Sequence, residues 1–401
     1  MSGSVQNPAA GDGPFFSLII PYRQRLANIE LVFESLAEQT LGRECFEVVL
    51  GVMEYCEDYV ALCKRFTDRL DLVSVLTGHD WQVSRARNLA LRQASGQVAV
   101  LLDADMLLPS NFLENLRDRH FSGDRNACVI GQMIDYDNNT QDVTTVSVRP
   151  FAEYRQKLRE LQSQDEVRAD ARIHVPHVIP WAFAWTALLA LPMQTVRRHD
   201  LWFDLTFHGY GAEDLEWAYR VAATGTPIGM AADVYGIHLP HVRNIAANQG
   251  TEERNYRRFL DLHPDLDVEL AGAFGDFAAN EMQPEYRGRI AQAVGDTPHG
   301  AGLAVLQGRT GHELWLVVGA VTDADGTVLD ETATGLFDTD QDVRVLPIAG
   351  LAMPWEDGAV QECRVLPAAL RLGGRFTQRV LSEAERVARK VTLPHPGENS
   401  V

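Results

Sequence analysis

The sequence predicts an α/β protein with a mostly parallel sheet in its first half and a small β-rich module at its C-terminus. Over the first 110 residues, short apolar runs alternate with amphipathic stretches. Strands and helices alternate in this way in a parallel sheet that is covered on both faces. Beyond about residue 300 the composition shifts, and residues 312–332 indicate two strands joined by a turn at Asp325-Gly326.

The elements of the first half follow in order. Apolar runs predict strands over Phe16–Ile20, Phe46–Met53, Leu72–Leu76 and Val98–Leu102. Helical stripes predict helices over Leu26–Thr40, Tyr59–Leu70, Ser84–Ala94 and Asp214–Thr224. The polar, charged stretch 136–180 predicts an insertion or lid with an exposed helix, and Phe183–Leu189 is expected to return to the sheet.

These elements divide the 401 residues into four parts. Residues 1–14 are expected to be a disordered leader, because they lack the basic and apolar regions of a signal peptide. The main domain covers 15–245, a helical extension covers 246–299, and the β-rich module covers 300–401. No apolar run approaches the roughly 20 residues that span a bilayer.

The net charge of the chain disfavours some classes of binding partner, and its cysteine content indicates the redox state of its compartment. With 55 acidic and 36 basic residues the formal net charge is −19, which disfavours binding to nucleic acid or to anionic membrane surfaces. The five cysteines are an odd number without metal-site spacing. We therefore expect free thiols and a reducing, cytoplasmic location.

Two carboxylates follow the fourth predicted strand, in Asp103-Ala104-Asp105. Alternate residues that leave a strand point to the same side, so both carboxylates can face one ligand. Such oxygen donors suit Mg²⁺ or Mn²⁺ bridging a diphosphate. Only this triplet follows a buried apolar strand of the parallel half; other Asp-x-Asp triplets, typical of turns and solvated loops, begin at Asp135, Asp265, Asp323, Asp338 and Asp340.

Two further segments contain residue types that bind phosphates or move protons. In SRARNLALRQASG, which begins at Ser84, Arg87 lies one strand before the acid pair, which favours a diphosphate or nucleotide role over a solvated basic face. In HGYGAEDLE, which begins at His208, two glycines allow close approach of the backbone to a ligand. Glu213 and Asp214 also suit the start of a helix, so a simple capping role is the alternative.

The segment GIHLPH contains two histidines in a proline-containing loop. A neutral imidazole can complete a divalent metal site, although a single histidine is more often structural. We expect His238 rather than His241 to be the ligand.

Taken together, the segments SLIIPYR, SRARNLALRQASGQVAVLLDAD and GYGAEDLEWAYR, followed by a late histidine, resemble the GT-A-fold glycosyltransferases of family 2. They are also similar to the transferase modules of chondroitin-polymerase-like enzymes. The resemblance covers roughly residues 15–245. It implies a GT-A domain that transfers a sugar from a nucleotide-diphosphate sugar, with a UDP-sugar as the first expectation, and it does not specify the acceptor.

The resemblance also implies roles for residues at matching positions. Asp105 and His238 would hold Mn²⁺ or Mg²⁺. Asp214 would be the catalytic base, Glu213 would hold an acceptor hydroxyl, and Trp185 would stack on the acceptor. The nucleotide-sugar would be bound by Pro21, Tyr22, Arg23, Glu54, Arg87, Asp103 and Ala104.

Two positions bear on selectivity and stereochemistry. After the second strand the family usually has an Asp-rich segment that contacts the base, whereas this chain has Met53-Glu54-Tyr55-Cys56, so uracil selectivity is not implied.

An acceptor hydroxyl needs a carboxylate to take its proton. Related retaining polypeptide transferases carry Asn where this chain has Asp214, so Asp214 implies inversion at the anomeric carbon.

The leading hypothesis is therefore a metal-dependent inverting glycosyltransferase that acts on a glycan or a small natural product. One alternative is a non-catalytic nucleotide-sugar-binding or assembly protein. Another is a sugar-1-phosphate nucleotidyltransferase, which the glycine-free segment IIPYRQRL after the first strand disfavours. A homo-oligomer formed through the C-terminal module is a further expectation.

Overall fold

The computed structural model describes residues 13–123, 125–136, 142–295, 300–329, 331–338 and 343–394. The chain divides into two compact units, Met1–Thr251 and Glu252–Val401. Most of the leader expected at 1–14 lies outside the described residues. Within the described ranges, none of the helices is both long enough and apolar enough to cross a membrane.

The first unit contains an eight-stranded sheet and its helices. The strands are β1 (Phe16–Tyr22), β2 (Phe46–Val52), β3 (Leu72–Leu76), β4 (Val98–Leu102), β5 (Met106–Leu107), β6 (Cys128–Ile134), β7 (Leu188–Pro192) and β8 (Ile228–His238). The helices are α1 (Leu26–Ala37), α2 (Glu57–Phe66), α3 (Val83–Gln93), α4 (Phe112–Asn115), α5 (Phe151–Gln162), α6 (Met193–Arg198) and α7 (Glu213–Ala223). The strand order is β3-β2-β1-β4-β7-β6-β8-β5.

The predicted parallel half of this sheet is confirmed. β3, β2, β1 and β4 pair in parallel, and every residue of β1, β2 and β4 is buried. The other half is mixed, because β7 is antiparallel to both β4 and β6, whereas β6 and β8 are parallel. The carboxyl ends of β1, β2 and β4 therefore meet at one edge, where α/β sheets bind their ligands.

Close packing of α3 on β2 fixes the position of Arg87. A Cβ atom at Gly51 in β2 would lie 1.9 Å from the carbonyl oxygen of Ala86 in α3. Only glycine allows this approach, since any side chain would push the helix away from the sheet. Because Arg87 follows Ala86, the contact also sets the depth at which its side chain leaves the helix.

The stretch 136–180 differs from its prediction in two ways. α5 ends at Gln162 and is less exposed than expected, because three apolar side chains at helical spacing are buried: Tyr154, Leu158 and Leu161. The return to the sheet also begins later than the predicted Phe183–Leu189. Pro180–Phe183 forms a 3₁₀ turn, and β7 begins only at Leu188.

The second unit has helices and a five-stranded sheet. The helices are α8 (Ile245–Leu262), which begins before this unit, α9 (Leu266–Phe274), α10 (Asp276–Val294), α11 (Glu331–Thr334), α12 (Pro367–Leu370) and α13 (Gly374–Val387). The strands are β9 (Gly302–Thr310), β10 (Glu313–Thr322), β11 (Arg344–Leu346), β12 (Val360–Val365) and β13 (Ala388–Thr392). Their order is β11-β9-β10-β12-β13.

The turn predicted at Asp325-Gly326 is present, with a φ of +84° at Gly326, but the second strand predicted after it does not form within the described residues. β10 instead pairs antiparallel with β9 across a turn at Gly311, whose φ is +63°. On its other edge β10 pairs in parallel with β12. Both edges of β10 are therefore occupied, and the segment after Asp325-Gly326 adds an antiparallel bridge between Thr322 and Val328 and a 2.8 Å hydrogen bond from the Leu329 N–H to the carbonyl oxygen of Val321.

A buried carboxylate organises the second unit. Glu269 is fully buried and accepts hydrogen bonds from the backbone N–H groups of Ala349, Gly350 and Leu351, at 2.7, 3.0 and 3.0 Å. The hydroxyl of Tyr286 donates to the same side chain. Burial raises the pKa of Glu269 to about 7, against the effect of these hydrogen bonds. The two oxygens thus satisfy donors that would otherwise be buried without partners.

We expect Glu269→Gln to lower the free energy of unfolding of the second unit by about 3 kcal/mol at pH 8, because the amide turns an N–H₂ group toward buried donors. Hydrogen exchange of the backbone amides of 252–401 measures the change. Glu281→Gln, on the exposed face of α10, is the control. A loss below about 0.5 kcal/mol would show that the carboxylate is dispensable.

Candidate functional site

The candidate site lies where β4 ends and the chain turns into β5. The backbone N–H of Met106 donates to the carbonyl oxygen of Asp103 at 3.1 Å, which closes this turn. Met106 then pairs with His238 in β8. Asp105 is therefore held beside the carboxyl end of β8, and the backbone N–H of Leu239 donates to its carbonyl oxygen at 2.8 Å. The sheet register, rather than local sequence, brings Asp105 and His238 together.

Asp105, His238 and His241 form a candidate metal site, in which the three ligand atoms lie within 4.8 Å of one another. Nδ1 of His241 lies 2.9 Å from Oδ2 of Asp105, and Nε2 of His238 lies 3.9 Å from Oδ1. The Asp105 side chain is fully buried, and its Oδ1 has no hydrogen-bond partner among the described residues. An unpartnered buried carboxylate oxygen that faces imidazoles fits a divalent cation.

The protonation states of this cluster suit metal binding. Burial opposes ionisation of Asp105, yet an ion pair with Arg25 and the nearness of His238 and His241 hold its pKa below the usual range. Burial lowers the pKa of His238, which favours the neutral imidazole. A carboxylate and neutral imidazoles are the forms in which these residues bind cations. His241, which the sequence disfavoured as a ligand, belongs to the cluster.

Arg87 joins the two acidic segments. Its Nη1 lies 3.0 Å from Oε1 of Glu213, and its Nη2 lies 3.3 Å from Oδ1 of Asp103. The side chain is buried and lies 5.3 Å over the ring of Phe203. The segments around residues 104 and 213 therefore share one site. The guanidinium is held by protein carboxylates on both sides.

Glu213 and Asp214 begin α7 immediately after a left-handed residue, Ala212, whose φ is +61°. Burial and the charge of Asp214 raise the pKa of Glu213 to about 7, although Arg87 works in the opposite direction. Burial also raises the pKa of Asp214. A carboxylate whose pKa is raised by burial is a better proton acceptor than an ordinary carboxylate.

The residues expected at the nucleotide differ in their accessibility. Pro21 and Tyr22 are buried, and the Tyr22 ring stacks on Tyr59 with centroids 4.4 Å apart. Arg23 is exposed, and its guanidinium lies 6.0 Å from the ring centroid of Trp81. Of the three predicted residues in β1 and its following loop, Arg23 is thus the one whose side chain reaches solvent.

Glu54 and Ala104 also lie at the carboxyl edge. Oε1 of Glu54 accepts a 2.7 Å hydrogen bond from the backbone N–H of Gln24, so it ties the loop after β2 to the loop after β1. Ala104 is 3% exposed between the two aspartates. Tyr55, next to Glu54, is highly exposed, with 72% of its surface accessible.

Aromatic residues lie beside the metal cluster. Trp185 has the guanidinium of Arg172 4.3 Å from its ring centroid on one side and the Tyr136 ring at 5.6 Å. Tyr136 also contacts the ring of His238 at 5.2 Å. Trp185 is therefore close to the candidate site, whereas Trp217 is fully buried in the core.

Sequence reasoning missed Arg25, Tyr136 and Trp81. Arg25 stands two residues after Arg23 in the same loop, and no spacing rule distinguishes the two. Tyr136 lies at the start of the stretch interpreted as an insertion. Of the three, only Trp81 could have been singled out from the sequence, since it is a large aromatic residue in a polar segment shortly before α3.

Comparison with known proteins places these residues in context. Residues 17–174, which contain both aspartates of the 103–105 triplet, match the family model described as glycosyl transferase family 2. A validoxylamine A glucosyltransferase of Streptomyces hygroscopicus subsp. jinggangensis (strain 5008) is 28% identical over 307 residues, covering 68% of this chain and 68% of that protein. The protein of the same name from subsp. limoneus is also 28% identical over 307 residues, covering 68% and 63%.

Solved structures are similar at low sequence identity. Mannosyltransferase PcManGT from Pyrobaculum calidifontis, in complex with GDP-Man and Mn²⁺, has a TM-score of 0.44 at 18% identity and covers 71% of this chain and 76% of that one. S. aureus TarS 1–349 in complex with UDP-GlcNAc has a TM-score of 0.45 at 16% identity, with coverages of 65% and 71%. GalNAc-T7 with UDP, GalNAc and Mn²⁺ has a TM-score of 0.45 at 15% identity, with coverages of 69% and 51%.

We expect Arg87→Gln to lower the free energy of unfolding by about 3–5 kcal/mol at pH 8, because it leaves the buried Glu213 and the partly buried Asp103 without a counter-charge. The loss should shrink as the pH falls through about 7, where Glu213 takes up a proton. Urea unfolding at several pH values measures both effects. Arg85→Gln, on the same helix, removes an equal charge and serves as the control. Equal losses in the two variants would contradict the assignment.

Proposed function

We propose that this family 2-like glycosyltransferase transfers a sugar from a nucleotide-diphosphate sugar to a hydroxyl group, in a metal-dependent reaction that inverts the anomeric carbon. The observation that carries the proposal is the position of Arg87, which contacts Asp103 and Glu213 at once. One of these segments leads to the candidate cation site at Asp105. The other begins with two carboxyls whose pKa values are raised.

The nucleotide would bind at the carboxyl ends of β1, β2 and β4. Trp81 is 38% exposed, so one face is available to a base, and Arg23 lies beside it with a positive charge for the phosphates. Asp103 would lie near the ribose, as the family resemblance implies. Glu54 already accepts the Gln24 N–H with one oxygen, which leaves its second oxygen for the base. A UDP-sugar remains our first expectation.

A divalent cation would be held by Asp105 and His238, with His241 as a third ligand. When bound, such a cation supplies positive charge that stabilises the leaving diphosphate. Two imidazoles favour Mn²⁺ over Mg²⁺, which prefers oxygen ligands and retains its water. The protein contributes a carboxylate that is kept ionised and an imidazole that is kept neutral.

Asp214 would act as the catalytic base. It takes the proton of the acceptor hydroxyl as the new glycosidic bond forms, and the bonding electrons of the sugar–phosphate bond leave with the diphosphate. Asp214 is partly exposed, so an acceptor can reach it, whereas Glu213 is buried against Arg87 and would position the acceptor hydroxyl. Attack from the face opposite the diphosphate inverts the anomeric carbon.

The acceptor would lie beside the aromatic residues next to α7. Trp185 offers a ring held in place by Arg172 and Tyr136, and aromatic faces pack well on sugar rings. The relatives named validoxylamine A glucosyltransferase support a glucosyl group as the sugar and a small molecule as the acceptor.

We expect Asp214→Asn to lower kcat by about 10²–10⁴-fold, because an amide cannot accept the proton. Binding of the donor should change little. Steady-state transfer from UDP-glucose and calorimetric binding of UDP measure the two quantities. Asp58→Asn, on the exposed face of α2, is the control. Turnover of Asp214→Asn near the wild-type rate would remove Asp214 from its role as base.

The pH profile gives a second test. Transfer needs the ionised form of Asp214, so kcat/KM should rise with pH on its acidic side. Because burial raises the pKa of Asp214, the midpoint of this rise should lie above the ordinary aspartate value of about 3.9. Initial rates between pH 4 and pH 9 measure the profile. A rise centred at or below the ordinary value would contradict the environment assigned to Asp214.

A further inference from the structure

Arg25 contacts the same carboxylate that would hold the cation. It directly precedes α1, and its Nη1 forms an ion pair with Oδ2 of Asp105. Nδ1 of His241 lies 2.9 Å from that same oxygen. The Asp105 side chain is fully buried, whereas 37% of the Arg25 side chain is exposed. The guanidinium thus extends from solvent to the carboxylate whose other oxygen, Oδ1, is without a hydrogen-bond partner among the described residues and would bind the cation.

Two positive charges on one buried carboxylate repel each other strongly. Charges a few ångströms apart in a buried site interact much more strongly than in water and are weakly screened by salt. Asp105 equally cannot remain buried without a counter-charge, since an unpaired buried carboxylate is strongly destabilised. Arg25 and a metal ion therefore weaken each other's binding at Asp105.

We propose that Arg25 is a built-in competitor of the divalent cation at Asp105, and that the diphosphate of the donor draws Arg25 away. This inference rests on the proposed function, because it concerns the donor and the cation of the same site. A diphosphate offers a guanidinium charge-assisted hydrogen bonds, so Arg25 exchanges one anionic partner for another when it leaves Asp105. Its side chain is 37% exposed, so a diphosphate in solution can reach it.

The other arginines near the site are unsuited to compete with the cation at Asp105. Arg87 is buried and binds Asp103 and Glu213 together, so its release would leave two carboxylates uncompensated. Arg23 lies over Trp81 and forms no ion pair with the described carboxylates. Arg25 alone combines an ion pair to Asp105 with partial exposure, among the arginines the structure describes.

Competition of this kind couples cation and diphosphate. Bound alone, the cation must displace Arg25, so its affinity is reduced. With a diphosphate present Arg25 is already engaged, and the cation binds more tightly; by linkage, the cation strengthens diphosphate binding by the same factor. Removing the guanidinium should abolish most of this coupling.

The test is Mn²⁺ binding by the full chain, followed by the electron paramagnetic resonance signal of free Mn²⁺. Titrations are made alone and with inorganic pyrophosphate, UDP or GDP, corrected for Mn²⁺ chelation by each anion. We expect Arg25→Gln to bind Mn²⁺ alone about tenfold more tightly than the wild type, and to lose most of the tightening caused by the anions. Arg65→Gln removes an equal charge from a surface pair with Glu30 and should behave as the wild type.

The Asp105→Asn variant distinguishes a failure of the Arg25 competition from a failure of the metal site itself. If Asp105→Asn loses Mn²⁺ binding while Arg25→Gln keeps the wild-type affinity, the competition is refuted and the metal site stands. If Asp105→Asn binds Mn²⁺ as the wild type does, the metal site of the proposed function fails as well. Should Arg25→Gln not fold, the wild type decides: Mn²⁺ affinity that none of the three anions changes would overturn the proposal.

Discussion

The compensation of buried negative charge governs the candidate site. Asp103 and Glu213 come from distant parts of the chain, and Arg87 contacts both of them. Arg25 forms an ion pair with Asp105, which is fully buried, and so compensates its negative charge. Buried carboxylates without such partners are costly, so the folded site depends on these two arginines. They differ in one respect: Arg87 is enclosed, and Arg25 reaches solvent.

The surroundings of these carboxyls shift their pKa values in opposite directions. Next to Arg25 and two histidines, Asp105 stays ionised and is suited to hold a cation. At the start of α7, burial outweighs the effect of Arg87, and the pKa values of Glu213 and Asp214 rise. Acidic groups whose environments push their pKa values apart can serve different steps of one reaction. In the proposed function, one site would thus contain a ligand for the cation that stabilises the leaving group and a base for the acceptor hydroxyl.

Much of the first unit could be predicted from the sequence, because each buried parallel strand is apolar throughout and ends at the same edge. Asp103 and Asp105 could be found by that rule, and the match to the glycosyltransferase family confirms the resemblance drawn from the same segments. The turn at Asp325-Gly326 formed as expected, but the strand after it did not, because local turn residues do not reveal that both edges of β10 are already paired. His241 was disfavoured because sequence spacing does not show which way a loop turns.

The sequence by itself determined the parallel half of the sheet, the helices around it and the residue types available for chemistry, since these follow from hydrophobic period and short-range turn preferences. Only the tertiary structure decided which charges meet. The pairing of Met106 with His238 brought Asp105 to the histidines, and the packing of α3 on Gly51 set Arg87 between Asp103 and Glu213. Coulombic interactions depend on distances through space, and those distances are set by sheet register and helix packing.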